Sequence, residues 1–366
     1  MNKRVIFLAN YHKGDYKGGI ANILECYCNN FSLFNEEGID VFWANLDIHY
    51  SKNKIISFVQ KIINLHYEKK LAFKKVFEMK PDIIHIHTSR GYTLYKDLII
   101  ARYLKKMFLC PIIISIHFAE AGKIFSNNKK IKAKEIKIMN SFVDKIICLS
   151  KNTANELASL VVKSKICVLY TFHCFNYKNH NSIECNKSPL QIMFMGSIDE
   201  RKGVFDLIEA IKQSNCKTHL KIYGGFLNDS FTKNRFERLI RNDASIEYCG
   251  YVSGEKKEEA YSNSDVFVLP SYAEGMPIVI MEALAKGCAI VSTNVGAIPE
   301  VIGNENGYIV NPGDICAIRS AIEQIDLDRA KLKTIKRNNI EKSKNFSLEK
   351  NVKFLCSIYG GLFNDQ

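Results

Sequence analysis

The chain has 366 residues, of which 47% are hydrophobic and only 7 are proline, a globular composition long enough for two separately cored domains. That apolar content excludes a chain disordered over most of its length. The formal charge of +13 is unevenly placed: residues 1–190 hold 29 Lys and Arg against 15 Asp and Glu, and residues 191–366 hold 22 against 23, so the first half is the one that meets something anionic.

Short β-branched runs alternate with longer helical patterns along the whole chain, which predicts βαβ units and parallel sheets. The apolar run 5–9, after Lys3 and Arg4, is too short for a secretory leader and reads as a first strand. The loop that follows carries Gly18 and Gly19 ahead of a helical pattern. Cys26 and Cys28 fall inside that pattern, where positions two apart face different ways, so no metal site is expected there. A strand at 41–44 leads to residues 52–80, where Ile55, Ile56, Val59, Ile62, Ile63 and Tyr67 are interleaved with lysines at helical spacing. This is an amphipathic basic helix, readable either as a solvated face or as a dock for anionic lipid. Strands at 82–87, 112–116, 145–149 and 166–169 complete six, and a second basic stretch runs from Lys123 to Lys137. The longest apolar stretch, residues 109–118, carries Pro111 and His117 and is about half a bilayer span, so no transmembrane helix is expected. The 12 cysteines mostly sit in or beside strand-like runs and read as buried free thiols of a reducing compartment.

The first domain is therefore placed at 1–175, and the polar stretch 176–188 reads as a linker. A second series of strands follows at 191–195, 219–223, 246–249, 266–269, 289–292 and 308–310, giving a second domain over 189–345. Residues 346–366 read as a C-terminal helix that crosses back to the first domain. The fold class is α/β: two doubly wound, Rossmann-like parallel-sheet domains facing an interdomain cleft, with ligands at the carboxyl ends of the strands.

The strongest motif begins at Asp265. A strand ends at Pro270, a loop carries Glu274 and Gly275, and Pro277 stands where a helix would begin. The backbone N–H groups of Gly275 and Met276 at that helix opening suit a diphosphate, and Glu282 follows inside the helix. A second motif, Met195-Gly-Ser-Ile-Asp-Glu-Arg-Lys-Gly, follows a strand and precedes a helix from Val204, with Lys202 able to place an ammonium on a phosphate.

Glu274 and Glu282, with seven residues between them and Pro-Ser and Gly-x-Pro around them, resemble the paired-glutamate motif of glycosyltransferase family 4, retaining enzymes of the GT-B fold. The resemblance is strong over 190–310 and loose over 1–150. It implies that Glu274 contacts the transferred sugar and that the backbone at Gly275, Met276, Pro277 and Ile278 holds the diphosphate. Glu282 would then accept hydrogen bonds from the ribose, and Tyr251, after Gly250, would face the base. The loop at 195–203 resembles the family's Gly-Arg-Leu-x-x-x-Lys-Gly, with Ser197 in place of Arg. Either Arg201 compensates or the site runs on Lys202 with fewer charges. Gly18 and Gly19 resemble the family's glycine pair. His117 corresponds to a histidine beside the transferred sugar, and His87, Thr88 and Ser89 to an acceptor-side stretch. Asn294 to Glu300 resembles a structural loop with a minor donor contact, and Thr171 with Phe172 is assigned no role.

His117, Lys202 and Glu274 are thus the expected catalytic residues. The implied reaction moves a hexosyl or N-acetylhexosaminyl group from a nucleotide diphosphate sugar, UDP-sugar favoured over GDP-sugar, to a saccharide acceptor carried on a polyprenyl-diphosphate lipid. The setting expected is O-antigen, capsule or lipopolysaccharide synthesis, in the cytoplasm and peripheral on the inner face of the membrane. No metal or other cofactor is expected, since Asp326-Leu-Asp328 lies in a late helical stretch away from any strand end. A catalytically silent module that binds a nucleotide sugar is the main rival, and a GT-B epimerase or phosphorylase a lesser one. No helix-turn-helix, zinc finger or aromatic RNA-binding signature supports a nucleic-acid partner.

Overall fold

The computed structural model describes residues 2–9, 19–46, 54–118, 122–175, 188–226 and 230–364. Two compact units emerge: unit 1 comprises Met1–Tyr170 with Glu349–Gln366, and unit 2 comprises Thr171–Leu348.

Unit 1 is built on strands β1 (Lys3–Ala9), β2 (Ile39–Asn45), β3 (Ile83–Thr88), β4 (Ile112–Ile116), β5 (Lys145–Cys148) and β6 (Ile166–Val168). All neighbours are parallel, in the order β2-β1-β3-β4-β5-β6. Every residue of β3 and β4 is buried, which explains why Ile-Ile-His-Ile-His and Ile-Ile-Ile-Ser-Ile read as continuous runs rather than alternating ones. The helix Leu348–Asn364 belongs to this unit from Glu349 onward, and in its first turn Asn351 Oδ1 accepts from the Tyr27 hydroxyl at 2.5 Å.

The basic helix is real and runs Lys54–Met79, but its inner stripe is not the apolar one. Among the described side chains, Asn64, Glu68, Ala72 and Val76, four apart, are the buried positions, whereas Ile62, Ile63 and Tyr67 are 60–61% exposed; the side chains of Ile55, Ile56 and Val59 lie outside the described ones. The inversion has a local cause: Glu68 receives Lys96 Nζ at 2.6 Å, and Lys96 also lies 3.3 Å from Asp97. This ion cluster, buried throughout, pins the helix to Tyr92–Met107 beneath it.

Unit 2 uses β7 (Leu190–Met195), β8 (Thr218–Tyr223), β9 (Ile246–Gly250), β10 (Val266–Leu269), β11 (Ala289–Thr293) and β12 (Gly307–Val310). Their order is β12-β11-β10-β7-β8-β9, again all parallel. Strand order reverses between β7 and β10, so the crevice at their carboxyl ends is the switch point where such sheets bind ligands. Asp326 and Asp328 serve local structure: the first pairs with Arg329, and the second caps Arg329–Ser343 by accepting from Lys331 N at 2.8 Å.

Candidate active site

The loops leaving β7, β10 and β11 meet at the switch point of unit 2, and glycine makes the approach possible. Gly203 has φ +70°, and a Cβ there would lie 2.0 Å from the Pro270 carbonyl oxygen. Gly296 has φ +58°, and its Cβ would lie 2.3 Å from the Gly275 oxygen and 2.4 Å from that of Glu274. No L side chain fits either position. The loop 294–300 is thus a buttress for the glutamate loop, and Ala297 N donates to the Gly275 oxygen at 2.9 Å.

This packing brings Lys202 and Glu274 into contact. Lys202 Nζ donates to Glu274 Oε1 at 2.6 Å, and the Ser271 hydroxyl donates to the same oxygen at 2.7 Å. Both side chains are largely buried, so the pair is weakly screened by solvent. The Ser197 hydroxyl is spent on Asp199, 2.6 Å away, and Asp199 also accepts from Lys202 N at 2.9 Å. Arg201, by contrast, reaches the glutamate loop: its Nη1 donates to the Ala273 oxygen at 3.2 Å, and its own carbonyl accepts from Tyr272 N at 2.8 Å. Arg201 thus turns to the glutamate loop, and Ser197 to Asp199.

Pro277 is the residue just before the helix Ile278–Ala285 rather than its first residue. Its φ of −70° suits either place, and ψ of 123° takes it out of the helix. Glu282, one turn in, is buried and held by Lys257 on Oε1 and by the Tyr261 hydroxyl on Oε2 at 3.0 Å. Burial and the neighbouring carboxylate push the Tyr261 phenol well up, so it stays a donor. Tyr251 stands exposed just past β9, and Gly275, Met276 and Ile278 line the helix opening.

In unit 1 the carboxyl ends of β3 and β4 carry three histidines. His117 N donates to the Thr88 oxygen at 2.9 Å, which sets the two strand ends side by side. His87 Nδ1 lies 2.9 Å from His117 Nε2. His85, deeper in, is held between the Tyr359 hydroxyl and the Ser115 hydroxyl, each at 2.7 Å. Burial holds all three imidazoles low, His85 at about 3 and His117 at about 4, with His87 pushed well down by burial and by both neighbours. They are neutral bases at physiological pH. Ser89 follows β3 and is half-buried. Gly19 opens the helix Gly19–Cys28, and Gly18 lies outside the described residues, as does most of the expected linker, 176–187.

Sequence reasoning missed Ser271, Lys257, Tyr261, Thr171 and Asp199. Ser271 sits inside the motif itself, and only its distance to Glu274 shows what it does. Lys257 and Tyr261 lie in Gly254–Ser262, a charged helix with no motif. Thr171 was given no role, yet its hydroxyl donates to the Met276 oxygen at 3.2 Å.

Residues 176–355 match the family described as Glycosyl transferases group 1, and residues 40–172 match Glycosyltransferase Family 4. The chain is a family-4 glycosyltransferase. The transferase is 25% identical over 313 residues to a 41.2 kDa protein in the cps region of Klebsiella pneumoniae, covering 81% of this chain and 83% of that one. It is 30% identical over 162 residues to O-antigen chain mannosyltransferase B of Escherichia coli, covering 43% and 42% of the two chains. It is thus related to enzymes of surface polysaccharides. Its fold matches that of HepE from Anabaena, solved with UDP-glucose, with a TM-score of 0.72 at 15% identity over 98% of this chain and 99% of that one. This is the GT-B fold expected from the sequence.

Proposed function

We propose that this transferase takes a hexosyl or N-acetylhexosaminyl group from a nucleotide diphosphate sugar, a UDP-sugar by preference, and passes it with retention to a lipid-linked saccharide. The observation that carries the reading is the 2.6 Å contact between Lys202 and Glu274 at the switch point of unit 2, beside a helix opening that leads to Glu282. The cations and the helix opening suit a diphosphate, and two carboxylates on its flank suit the hydroxyls of a sugar and a ribose. HepE, solved with UDP-glucose, supports UDP as the nucleotide.

In this reading the acceptor hydroxyl oxygen attacks the anomeric carbon on the face from which the diphosphate leaves. The bond from that carbon to the phosphate oxygen breaks, its electron pair stays on the phosphate oxygen, and that oxygen receives the hydroxyl proton. Lys202, Arg201 and the helix opening stabilise the charge that develops there, so the reading needs no metal. Glu274, fixed through Oε1 by Lys202 and Ser271, orients the sugar rather than attacking it, and His117 is assigned to the transferred sugar, as the family resemblance implies. His87, Thr88 and Ser89 face the acceptor.

The basic helix supports the lipid-linked acceptor and a place on the membrane surface. Ile62, Ile63 and Tyr67 are exposed beside lysines, and among the described residues no helix is long and apolar enough to cross a membrane. Such a face suits the anionic inner leaflet.

The test is a thermal-shift screen of UDP- and GDP-sugars, followed by transfer assays of Glu274→Ala. A UDP-sugar is expected to raise the melting temperature, and Glu274→Ala to abolish transfer while nucleotide binding persists. Absence of transfer by the wild type, with binding retained, would establish the silent module instead.

A further inference from the structure

Among the described residues, the outer nitrogens of the His87–His117 pair have no partner. His87 Nε2 and His117 Nδ1 are buried without a hydrogen bond among the described residues, although a buried polar atom is ordinarily satisfied. His87 is also held rigidly: its ring stacks on His85 at 4.2 Å and meets Phe7 edge-on at 4.9 Å. His85 is itself anchored at both nitrogens.

A neutral pair shares one hydrogen, so the 2.9 Å bond has two senses. In the first, His117 Nε2–H donates to His87 Nδ1, both rings carry their proton on Nε2, and His117 offers a bare Nδ1 lone pair. In the second, both rings carry it on Nδ1, and His117 offers an N–H. Each sense leaves one donor and one acceptor unpartnered, so the count of lost bonds does not choose between them. The intrinsic tautomer preference does. A histidine side chain favours the Nε2–H form, and the second sense requires two disfavoured rings at once.

We propose that His87 is a positioning residue that locks His117 as the Nε2–H tautomer, so that His117 receives a sugar hydroxyl as an acceptor through Nδ1. This rests on the reading of His117 as the residue that meets the transferred sugar. A buried lone pair without a donor is costly, so a donor sugar lacking the matching hydroxyl is discriminated against.

The experiment uses imidazole proton–nitrogen correlation spectra of the full chain with isotope-labelled histidine, alongside transfer kinetics. In the wild type, His117 is expected to show a protonated Nε2 and an unprotonated Nδ1. His87→Asn keeps an acceptor near the position of Nδ1 and should preserve that signature. His87→Leu should erase the single tautomer and lower kcat/KM about tenfold, with circular dichroism confirming the fold. A protonated Nδ1 on His117 in the wild type, or spectra unchanged in His87→Leu, overturns the proposal. Wild-type transfer by His117→Ala, with the spectra as expected, overturns instead the reading that His117 meets the sugar, and leaves the tautomer assignment standing.

Discussion

Replacing Lys202 by Met would cut the ion pair at the heart of unit 2 while keeping the aliphatic stem. Glu274 is 8% exposed and would retain only the Ser271 hydroxyl on Oε1. Breaking a buried pair from one side costs about 3–5 kcal/mol, and the residual 15% exposure of the Lys202 side chain places this case at the low end, at about 3 kcal/mol. For a unit of this size that is a fall of about 6–12 °C in melting temperature. Glu274→Gln strands the ammonium instead and should destabilise by a similar amount. The double variant removes both charges, so its stability should lie above the sum of the two losses by about 2 kcal/mol. Transfer should behave differently: each single variant loses about 100- to 1000-fold in kcat, and the double variant recovers none of it. Calorimetry and steady-state transfer on the four chains check both patterns. A double variant whose stability loss equals that sum would refute the coupling, and undiminished kcat in Lys202→Met would refute the role on the diphosphate.

Acid should weaken unit 1 through its histidines. His85 and His117 are held at about 3 and about 4 in the folded chain, against about 6.5 unfolded, so the unfolded state takes up protons that the native state refuses. Stability is therefore complete above about pH 6.5 and falls as pH drops below it, each of these two residues costing about 2 kcal/mol at pH 5. The one tryptophan, Trp43 on β2, reports urea unfolding of this unit, and a midpoint equal at pH 7 and pH 5 would contradict the argument. Membrane docking predicts that the transferase floats with anionic vesicles and not with neutral ones, and that Ile62→Ser with Ile63→Ser reduces recovery without changing the melting temperature, since both side chains are already exposed. Equal recovery with the two kinds of vesicle would remove it.

The local elements were legible from residue patterns because each was over-determined. All 12 strands of the described residues fall where β-branched runs predict them, for a fully buried parallel strand must be apolar on both faces, as Val266–Leu269 shows. The glutamate motif was legible for a related reason: a strand end, a glycine, a proline and a helix must follow in that order for backbone amides to line a phosphate. The basic helix was legible as a helix and misleading as to its inner face. Helical periodicity marks apolar positions, whereas among the described side chains the buried stripe includes Asn64 and Glu68, and Glu68 is tolerable inside because Lys96 arrives from another helix.

By itself, then, the sequence determined the two parallel sheets, the loops that carry chemistry and the membership of a transferase family. Those follow from short-range periodicity and from residue types at fixed spacing. Only the tertiary structure decided that Lys202 and Ser271 share one oxygen of Glu274, that Arg201 turns to the Ala273 carbonyl while Ser197 is consumed by Asp199, and that His87 Nδ1 lies against His117 Nε2. The contacts of Lys202 with Glu274, Arg201 with Ala273 and His87 with His117 depend on which strands lie next to one another, and strand order is settled by packing of the whole sheet, which no local pattern records.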